Sequence, residues 1–224
     1  MRHSESMKAQ TAPVDPPHAG APRRRPVQER SLRRYERLLD ACAGLLDEAG
    51  PTALTTKEVA ARAQVPIGTL YQFFSGKDSL LGALAERNLE RFLHRLAART
   101  ADGTPDGVAG FVDVAVDEFV AMKRTVAGFG HLDFGLVGTD PGDLADDEHL
   151  LDADLDNNAA VAVRIGALGG DLFTGPGFPL ALRVALECAD AVLKLAFRVD
   201  PDGDPALIGE CKWLLRGYLA APAD

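Results

Sequence analysis

Apolar residues recur every three or four positions through most of the sequence, which is the spacing of helices that bury one face. One such pattern begins at Ser31 and ends at Gly50-Pro51, a pair that stops a helix. Another runs over about 77–99 with leucines and Phe92 at its buried positions. No stretch alternates apolar and polar residues as a half-buried strand does. The sequence therefore predicts an all-α protein.

Two short helices are predicted between these long ones. The segment Thr55-Thr56-Lys57-Glu58 has the pattern of a capping box, in which Thr55 and Glu58 satisfy each other's backbone amides, and it starts a helix over about 56–63. Gln64-Val65-Pro66 interrupts that helix, and Pro66 suits the first turn of a second one over about 66–73. Two short helices joined by a tight turn, with a helix on either side, predict a helix-turn-helix whose second helix enters the DNA major groove.

The second short helix offers candidate base contacts on its outer face. Leu70 and Phe74 are four residues apart and are expected to face the core. On the other face Gln72 can bridge adenine N6 and N7, Thr69 can meet a base edge, and Ile67 can pack on a thymine methyl group. Gly68 allows close approach of the backbone.

Other polar residues suit phosphates rather than bases. They include Tyr71, Lys77 and the helix N-terminus at Thr55-Thr56. Residues 1–26 lack apolar periodicity, hold several prolines and end in an arginine run, so they are predicted to be a disordered basic tail, either simply solvated or lying along DNA. The predicted DNA-contacting residues are Arg23, Arg24, Arg25, Thr55, Thr56, Ile67, Gly68, Thr69, Tyr71, Gln72 and Lys77.

A polar turn at Asp102–Asp106 is the predicted domain boundary. It separates a DNA-binding domain with its connecting helix, 27–99, from a second helical domain, 104–224. Beyond the turn the pattern predicts a helix from Val108, a segment broken by glycines, an acidic stretch leading into a helix that ends near Leu168, and two final helices over about 180–199 and 206–220.

The charge of the chain is divided between these two parts. The overall net charge is −9, but residues 22–99 carry +5 and residues 100–224 carry −14. A polyanion would be attracted by the first part and repelled by the second. The division therefore supports a nucleic-acid-binding N-terminal part and a different role for the remainder.

The helix-turn-helix resembles that of the TetR family of one-component bacterial transcription regulators. The resemblance spans about 31–84 and rests on Thr55-x-x-Glu58-Val59-Ala60-x-x-Ala63-x-Val65 and Gly68-Thr69-Leu70-Tyr71-x-x-Phe74-x-x-Lys77-x-x-Leu80. Two positions depart from the family pattern. Pro66 stands where a small hydroxyl residue is frequent, which removes one amide donor, and Phe73 stands where many members have histidine or tyrosine.

The resemblance implies a homodimer that binds a near-palindromic operator and releases it when a small organic molecule enters the larger helical domain. It also implies that the last two helices pair with their copies, although some of their apolar residues must belong to the intramolecular core. The candidate interface residues are Leu182, Leu186, Ala189, Leu193, Phe197, Leu207, Cys211, Leu214, Leu215 and Tyr218.

Residues 101–179 hold aromatic residues and a histidine that could line a mostly apolar effector cavity. Core packing explains any one of them equally well. Glycines near His131 favour the cavity, where His131 or Asp133 would orient a polar group. The candidate cavity residues are Phe111, Phe119, Met122, Phe129, His131, Phe134, Phe173 and Phe178.

No catalytic, metal or cofactor site is predicted. Asp152-x-Asp154-x-Asp156 begins like a calcium loop but lacks its glycine and its final glutamate, and no P-loop, dinucleotide fingerprint or nucleophile elbow is present. No uncharged stretch approaches the roughly 18 to 20 residues of a membrane span. No apolar run typical of a secretory signal follows the first residues. A non-enzymatic, cytoplasmic protein without cofactor, metal or membrane contact is expected.

These observations lead to the hypothesis of a ligand-responsive repressor in which effector binding tilts the helix over 77–99 and moves the two recognition helices out of register with the DNA grooves. The alternatives are an activator or an effector-independent DNA-binding protein. A further alternative is a small-molecule-binding or catalytic helical protein that retains a degenerate helix-turn-helix. The charge division and the outward polar residues argue against this last one.

Overall fold

The computed structural model describes residues 29–101, 106–132, 134 and 147–220, with the side chains of 147–157 excluded. The described residues form eight α-helices and a short 3₁₀-helix, and none of them lies in a strand, so the all-α prediction is confirmed. The helices are α1 Glu29–Ala53, α2 Thr56–Arg62, α3 Ile67–Phe73, α4 Lys77–Ala101, α5 Gly107–Thr125, α6 Asp147–Gly169, α7 Phe178–Val199 and α8 Pro205–Ala220, with the 3₁₀-helix at Gly170–Phe173.

The first three helices and the beginning of α4 enclose one apolar core. Leu38 and Leu46 of α1, Val59 of α2, Leu70 of α3 and Leu84 of α4 are all fully buried in it. Their spacing of three or four residues along each helix places them on one face, as the sequence pattern predicts. The core therefore fixes α3 against α1 and α4 and leaves its other face to solvent.

Helix α4 belongs to two cores at once. Its first half contributes Leu80 and Leu84 to the N-terminal core, while Leu89, Phe92 and Leu96 join a second core with residues of α5 and α6. A helix of 25 residues is about 37 Å long. It therefore forms a continuous mechanical link between the two halves of the chain.

A buried carboxylate ties α4 to α5. Glu118 of α5 is 4% exposed and pairs with Arg95, at 2.5 Å between Oε1 and Nε, and with Arg99, at 3.6 Å. A buried carboxylate is costly to leave unpaired, so this contact holds the end of α4 against α5. Helices α7 and α8 pack on each other, α7 packs also on α6, and α8 packs on α5, where Lys212 pairs with Asp117 at 2.5 Å.

The turn after α5 returns to the N-terminal core. The Gly128 amide donates to Asp47 Oδ1 at 2.9 Å, and the Asn88 side-chain amide donates to the Leu132 carbonyl at 2.8 Å. Gly128 has φ +76°, and a Cβ there would lie 2.8 Å from the Ala43 Cα. Only glycine fits this approach between the turn and α1.

Several predictions concern residues that the structure does not describe. These are the tail over 1–26, Asp133, the loop glycines Gly135 and Gly138, and the side chains of the acidic stretch that precedes Asn158. Of the predicted boundary at Asp102–Asp106, only Asp106 is described, so the division into 27–99 and 104–224 stays a prediction. Within the described ranges, no helix is long and apolar enough to cross a membrane.

Candidate functional site

The start of α2 is held by the predicted capping box. The Thr55 hydroxyl accepts from the Glu58 amide at 3.2 Å, and the Glu58 carboxylate accepts from the Thr55 amide at 3.2 Å and from its hydroxyl at 2.7 Å. Both side chains are occupied in closing the helix end. The structure thus assigns the Thr55 hydroxyl a structural role in addition to its predicted place near phosphates.

The outer face of α3 presents its side chains to open space. Ile67, Gly68, Tyr71 and Gln72 are exposed and Thr69 is half-buried. No atom outside its own helix lies within 4 Å of where a Gly68 Cβ would be. A DNA backbone or base edge can therefore approach this face without displacing any part of the protein.

Tyr71 connects the two helices of the turn. Its hydroxyl lies 3.3 Å from the Thr56 hydroxyl, so the two side chains share a hydrogen bond across α2 and α3. Tyr71 is nevertheless 46% exposed. This arrangement orients two polar groups side by side at the edge of the recognition face, where phosphates pass in helix-turn-helix complexes.

Lys77 lies at the predicted DNA-facing surface, but its side chain also reaches back into the protein. Its ammonium group donates to the Pro51 carbonyl at 2.6 Å, and the residue is partly buried. This bond connects the start of α4 to the end of α1. The phosphate contact at Lys77 stays a prediction, and one donor of its ammonium is held by the protein itself.

An aromatic cluster supports α3 from behind. The Tyr35 ring stacks on Phe74 with centroids 5.2 Å apart and meets Phe73 edge-on at 5.8 Å. Phe73 is 6% exposed. In the sequence, Phe73 stands out only as a departure from the family pattern, whereas in the structure it lies in the core. Its apolar character was the signal for this role.

An ion pair joins α1 and α2 close to the turn. Arg62 Nη1 donates to Glu48 Oε1 at 2.7 Å, and this hydrogen bond lowers the pKa of the Glu48 carboxyl. Both side chains are largely solvent-exposed, so the pair contributes orientation more than stability. It restricts how α2 can move relative to α1.

A cavity lies among the C-terminal helices and α4. About 870 Å³ of empty space lies in and in front of it, and this figure includes open solvent. Its wall is almost entirely apolar, with Asn158 and Asp190 as the two polar exceptions among the described residues. The lining residues are Phe92, Phe111, Val112, Ala115, Val116, Phe119, Phe134, Asn158, Ala162, Ile165, Phe173, Leu182, Ala185, Leu186, Ala189, Asp190, Leu193, Leu215 and Leu219.

Phenylalanine rings form a connected set along one side of this wall. Phe134 lies 4.9 Å from Phe92 and 5.6 Å from Phe119, and Phe111 meets Phe173 edge-on at 5.1 Å, all between centroids. Phe92 belongs to α4, the helix that also supports α3. Helix α4 therefore lines the cavity and also shares the core that holds α3.

Two sequence families match the chain one after the other. Residues 38–84 match the family described as "Bacterial regulatory proteins, tetR family". Residues 106–223, which are more than half of the chain, match the family described as "Tetracyclin repressor-like, C-terminal domain". This chain belongs to the TetR family. Members of the family are DNA-binding transcriptional regulators and not enzymes.

Individual relatives agree with this assignment. The crystal structure of a TetR-family transcriptional regulator from Streptomyces coelicolor is 40% identical with a TM-score of 0.71, over 84% of this chain and 98% of that one. The repressor KstR of Rhodococcus jostii (strain RHA1) is 41% identical over 58 residues, which are 26% of this chain and 27% of that repressor. SmeT in its complex with triclosan has a TM-score of 0.57 at 19% identity, over 85% of this chain and 96% of that one, and shares the fold.

The cavity of this TetR-family chain contains half of the aromatic set predicted for it. Phe111, Phe119, Phe134 and Phe173 lie in its wall, and their contact with an effector stays a prediction. The other four residues correct that prediction, because helical spacing identifies apolar positions but cannot distinguish a core from a void. Met122 and Phe129 are fully buried outside the wall, His131 is exposed on the turn after α5, and Phe178 packs on Phe173 with centroids 5.7 Å apart.

Most of the predicted interface residues lie on the sides of α7 and α8 that pack within the chain. Leu182, Leu186, Ala189, Leu193 and Leu215 line the cavity, Phe197 packs in the C-terminal core, Cys211 is buried and Leu207 is half-buried. Leu193, Cys211 and Leu215 are buried within the chain and have little surface left for a partner, so these three assignments are corrected. The half-buried residues Leu182, Leu186, Ala189, Phe197 and Leu207 stay predictions. Leu214 and Tyr218 are each 39% exposed and stay candidates for the interface.

The opposite face of the same two helices carries the exposed apolar residues. On α7 they are spaced by four, eleven and four residues and so share one helix face, while on α8 they are spaced by one and four residues. Trp213, the only tryptophan of the chain, is 72% exposed there. Trp213 follows buried Cys211 by two residues and so lies on another side of the helix, which was the sequence signal for its exposure. The exposed apolar residues are Leu180, Val184, Leu195, Val199, Trp213, Leu214 and Tyr218.

Proposed function

We propose that this TetR-family regulator is a repressor that binds a near-palindromic operator as a homodimer and releases it when a small organic effector enters the cavity. The observation that carries the proposal is the double role of α4, which supports the recognition helix with Leu80 and Leu84 and lines the cavity with Phe92. A ligand that moves α4 changes the position of α3. The repressor would act in the cytoplasm, where the operator is.

Operator reading is assigned to the outer face of α3. Gln72 is exposed and can bridge adenine N6 and N7, while Ile67 and Thr69 can contact thymine methyl groups or base edges. Gly68 leaves room for the groove wall. Tyr71 and Thr56 are proposed to contact phosphate through their paired hydroxyls.

Additional phosphate contacts are proposed for the ends of the domain. Lys77 keeps ammonium donors beyond the one given to Pro51, and Thr55 lies at the N-terminus of α2. The arginines at 23–25 lie outside the described residues and are proposed to follow the DNA backbone or a minor groove.

Dimerisation is assigned to the exposed face of α7 and α8. Large apolar side chains grouped on one face of two adjacent helices are typical of a surface that another chain covers. A twofold interface brings Trp213, Leu214 and Tyr218 of one copy against the same face of its partner. Two recognition helices held in this way would read two half-sites of one operator.

Release is assigned to a population shift between two positions of α4. The turn after α5 supports this, because Phe129 and Phe134 of that segment pack with each other at 5.5 Å between centroids, and Phe134 lines the cavity. The same turn contacts Asp47 of α1 and Asn88 of α4. A ligand against Phe134 would thus act on two elements of the DNA-binding domain.

A release experiment with a filled cavity tests this function. Ala115 is half-buried in the cavity wall, whereas Ala109 is exposed on the same helix and outside the wall. Ala115→Phe is expected to leave operator binding intact and to abolish release by any small molecule that frees DNA from the original chain. Ala109→Phe is the matched control and should respond normally. Undiminished release from Ala115→Phe would refute the assignment of the cavity.

A further inference from the structure

The cavity wall contains one carboxylate and no cationic side chain among the nineteen residues that line it. Asp190 is that carboxylate and Asn158 is the single amide. A ligand with its own carboxylate or phosphate would lose hydration and meet no opposite charge in this wall. An anion is therefore disfavoured, and a cation gains a partner.

Asp190 already pairs with one cationic side chain, and its carboxylate can still interact with a second cation. Lys194 Nζ lies 2.8 Å from Asp190 Oδ2, one turn further along α7, and its side chain is 56% exposed. An exposed ammonium group is well hydrated, so it neutralises the carboxylate only weakly. An ionised carboxylate has two oxygens with about four acceptor positions, more than one lysine can use.

The stretch of sequence that precedes the wall residues of α6 is acidic. No lysine or arginine occurs between Arg124 and Arg164, whereas this interval contains nine aspartates and glutamates. It leads into the part of α6 that supplies Asn158, Ala162 and Ile165 to the wall. A net negative charge in this stretch of the sequence attracts cations rather than anions.

The aromatic rings of the wall suit the same kind of ligand. Five phenylalanines line the cavity, and the faces of aromatic rings attract cations. One wall ring already has such a contact within the protein, since Lys123 Nζ lies 5.7 Å from the Phe119 centroid. Apolar area binds the body of the ligand, while ring faces and Asp190 stabilise its charge.

From these observations we infer that the effector is a hydrophobic organic cation, such as an amine or quaternary ammonium with an aliphatic or aromatic body. The inference rests on the proposed function of the cavity and adds to it the charge class of the ligand. Asp190 is assigned as the residue that determines this specificity.

Three ligands with the same apolar body test the charge class. Decyltrimethylammonium, 1-decanol and decanoate, each below its aggregation concentration, are titrated into the full chain with calorimetry. The cation is expected to bind at least about fivefold more tightly than the alcohol, and decanoate most weakly. Decanoate binding as tightly as the cation, or no binding of the cation, would overturn the inference.

A charge-neutral variant tests the residue. Asp190→Asn is expected to weaken the affinity for the cation at least about fivefold and to leave the affinity for 1-decanol unchanged. Asp202→Asn, with its carboxylate outside the wall, is the matched control and should leave all three affinities unchanged. An equal loss for 1-decanol and the cation would overturn the assigned role.

Salt dependence provides a measurement that does not depend on the variant folding. For the original chain, the cation should bind more weakly as ionic strength rises, because screening reduces its attraction to Asp190, while binding of 1-decanol should not change. An affinity of the cation that is independent of salt would contradict the inference.

Operator release separates this inference from the proposed function. A cation that binds in an Asp190-dependent way without freeing the operator leaves the charge class standing and refutes the effector role. An anion that frees the operator from the original chain but not from Ala115→Phe leaves the effector role standing and refutes the charge class.

Discussion

Among the side chains of α3, Gln72 is the one best suited to read a base. It is exposed, and its amide can donate to and accept from one adenine simultaneously. Gln72→Ala is expected to cost about 1–3 kcal/mol on the operator and to relax the preference at one base pair. The measurement is a titration of labelled duplexes by anisotropy, with random duplex as the control. Equal losses on operator and random duplex would contradict a reading role.

Two buried thiols make the stability of the folded protein depend on pH. Burial raises the pKa of Cys42 from 9.0 to about 12, and burial together with nearby Cys188 raises that of Cys211 to about 11. The folded state therefore holds these protons more tightly than the unfolded chain does. The stabilising contribution is complete below pH 9 and is lost as the pH rises through the folded values.

The corresponding experiment is urea unfolding of the original chain and of Cys42→Ala at pH 8 and pH 10.5. The original chain is expected to lose more stability between the two pH values than the variant, since the variant lacks one of the thiols. An identical loss in both proteins would show that Cys42 does not contribute.

Lys77 makes a contact that could not be predicted from the sequence. Its position after α3 is typical of a phosphate contact, and that interpretation required only the local motif. The bond from its ammonium to the Pro51 carbonyl joins residues 26 apart and depends on how α1 and α4 pack. A contact of that separation has no local pattern. The capping box at Thr55 was predictable because both partners lie within one helical turn.

At the scale of elements, the turn after α5 is expected to be sensitive to a single methyl group. Gly128→Ala places a Cβ 2.8 Å from the Ala43 Cα in a backbone with φ +76°. The strain should lower the free energy of unfolding by about 1–3 kcal/mol and weaken the response of DNA binding to effector. Thermal unfolding and operator release measure the two effects.

Gly130 provides the matched control for that substitution. It lies two residues away, does not have a positive φ, and nothing is within 4 Å of where its Cβ would be. Gly130→Ala should therefore leave stability and release unchanged. If the two variants behaved alike, the contact between the turn and α1 would have no special role.

Helix positions could be predicted well from sequence, whereas the orientation of α7 and α8 could not. Caps, prolines and apolar spacing mark α2, α3 and α4 within a few residues. Helices α7 and α8 are apolar on more than one side, so periodicity left open which side covers the cavity and which is exposed. The wall residues Leu186 and Leu193 were assigned to the interface for that reason. Only the packing of α5 and α6 against one side decides between them.

At the scale of the whole molecule, the exposed face of α7 and α8 is expected to hold two chains together. Trp213→Ser removes the largest exposed apolar side chain of that face and should shift the protein toward monomer in sedimentation experiments at micromolar concentration. Val163→Ser is the control, because Val163 is 71% exposed but lies on α6. A dimer that persists in Trp213→Ser and dissociates in Val163→Ser would place the interface elsewhere.

The charge division and the two cores joined by α4 underlie our proposal that the molecule reads DNA at one end and senses a ligand at the other. Selection from a random duplex library by the full chain at near-physiological salt tests this most directly, with a chain truncated before Val27 as the comparison. We predict enrichment of an inverted repeat with half-site centres about 34–36 Å apart, or a multiple of that distance, and weaker binding without the arginines at 23–25. Enrichment of no sequence, or of a single unrepeated site, would contradict the account.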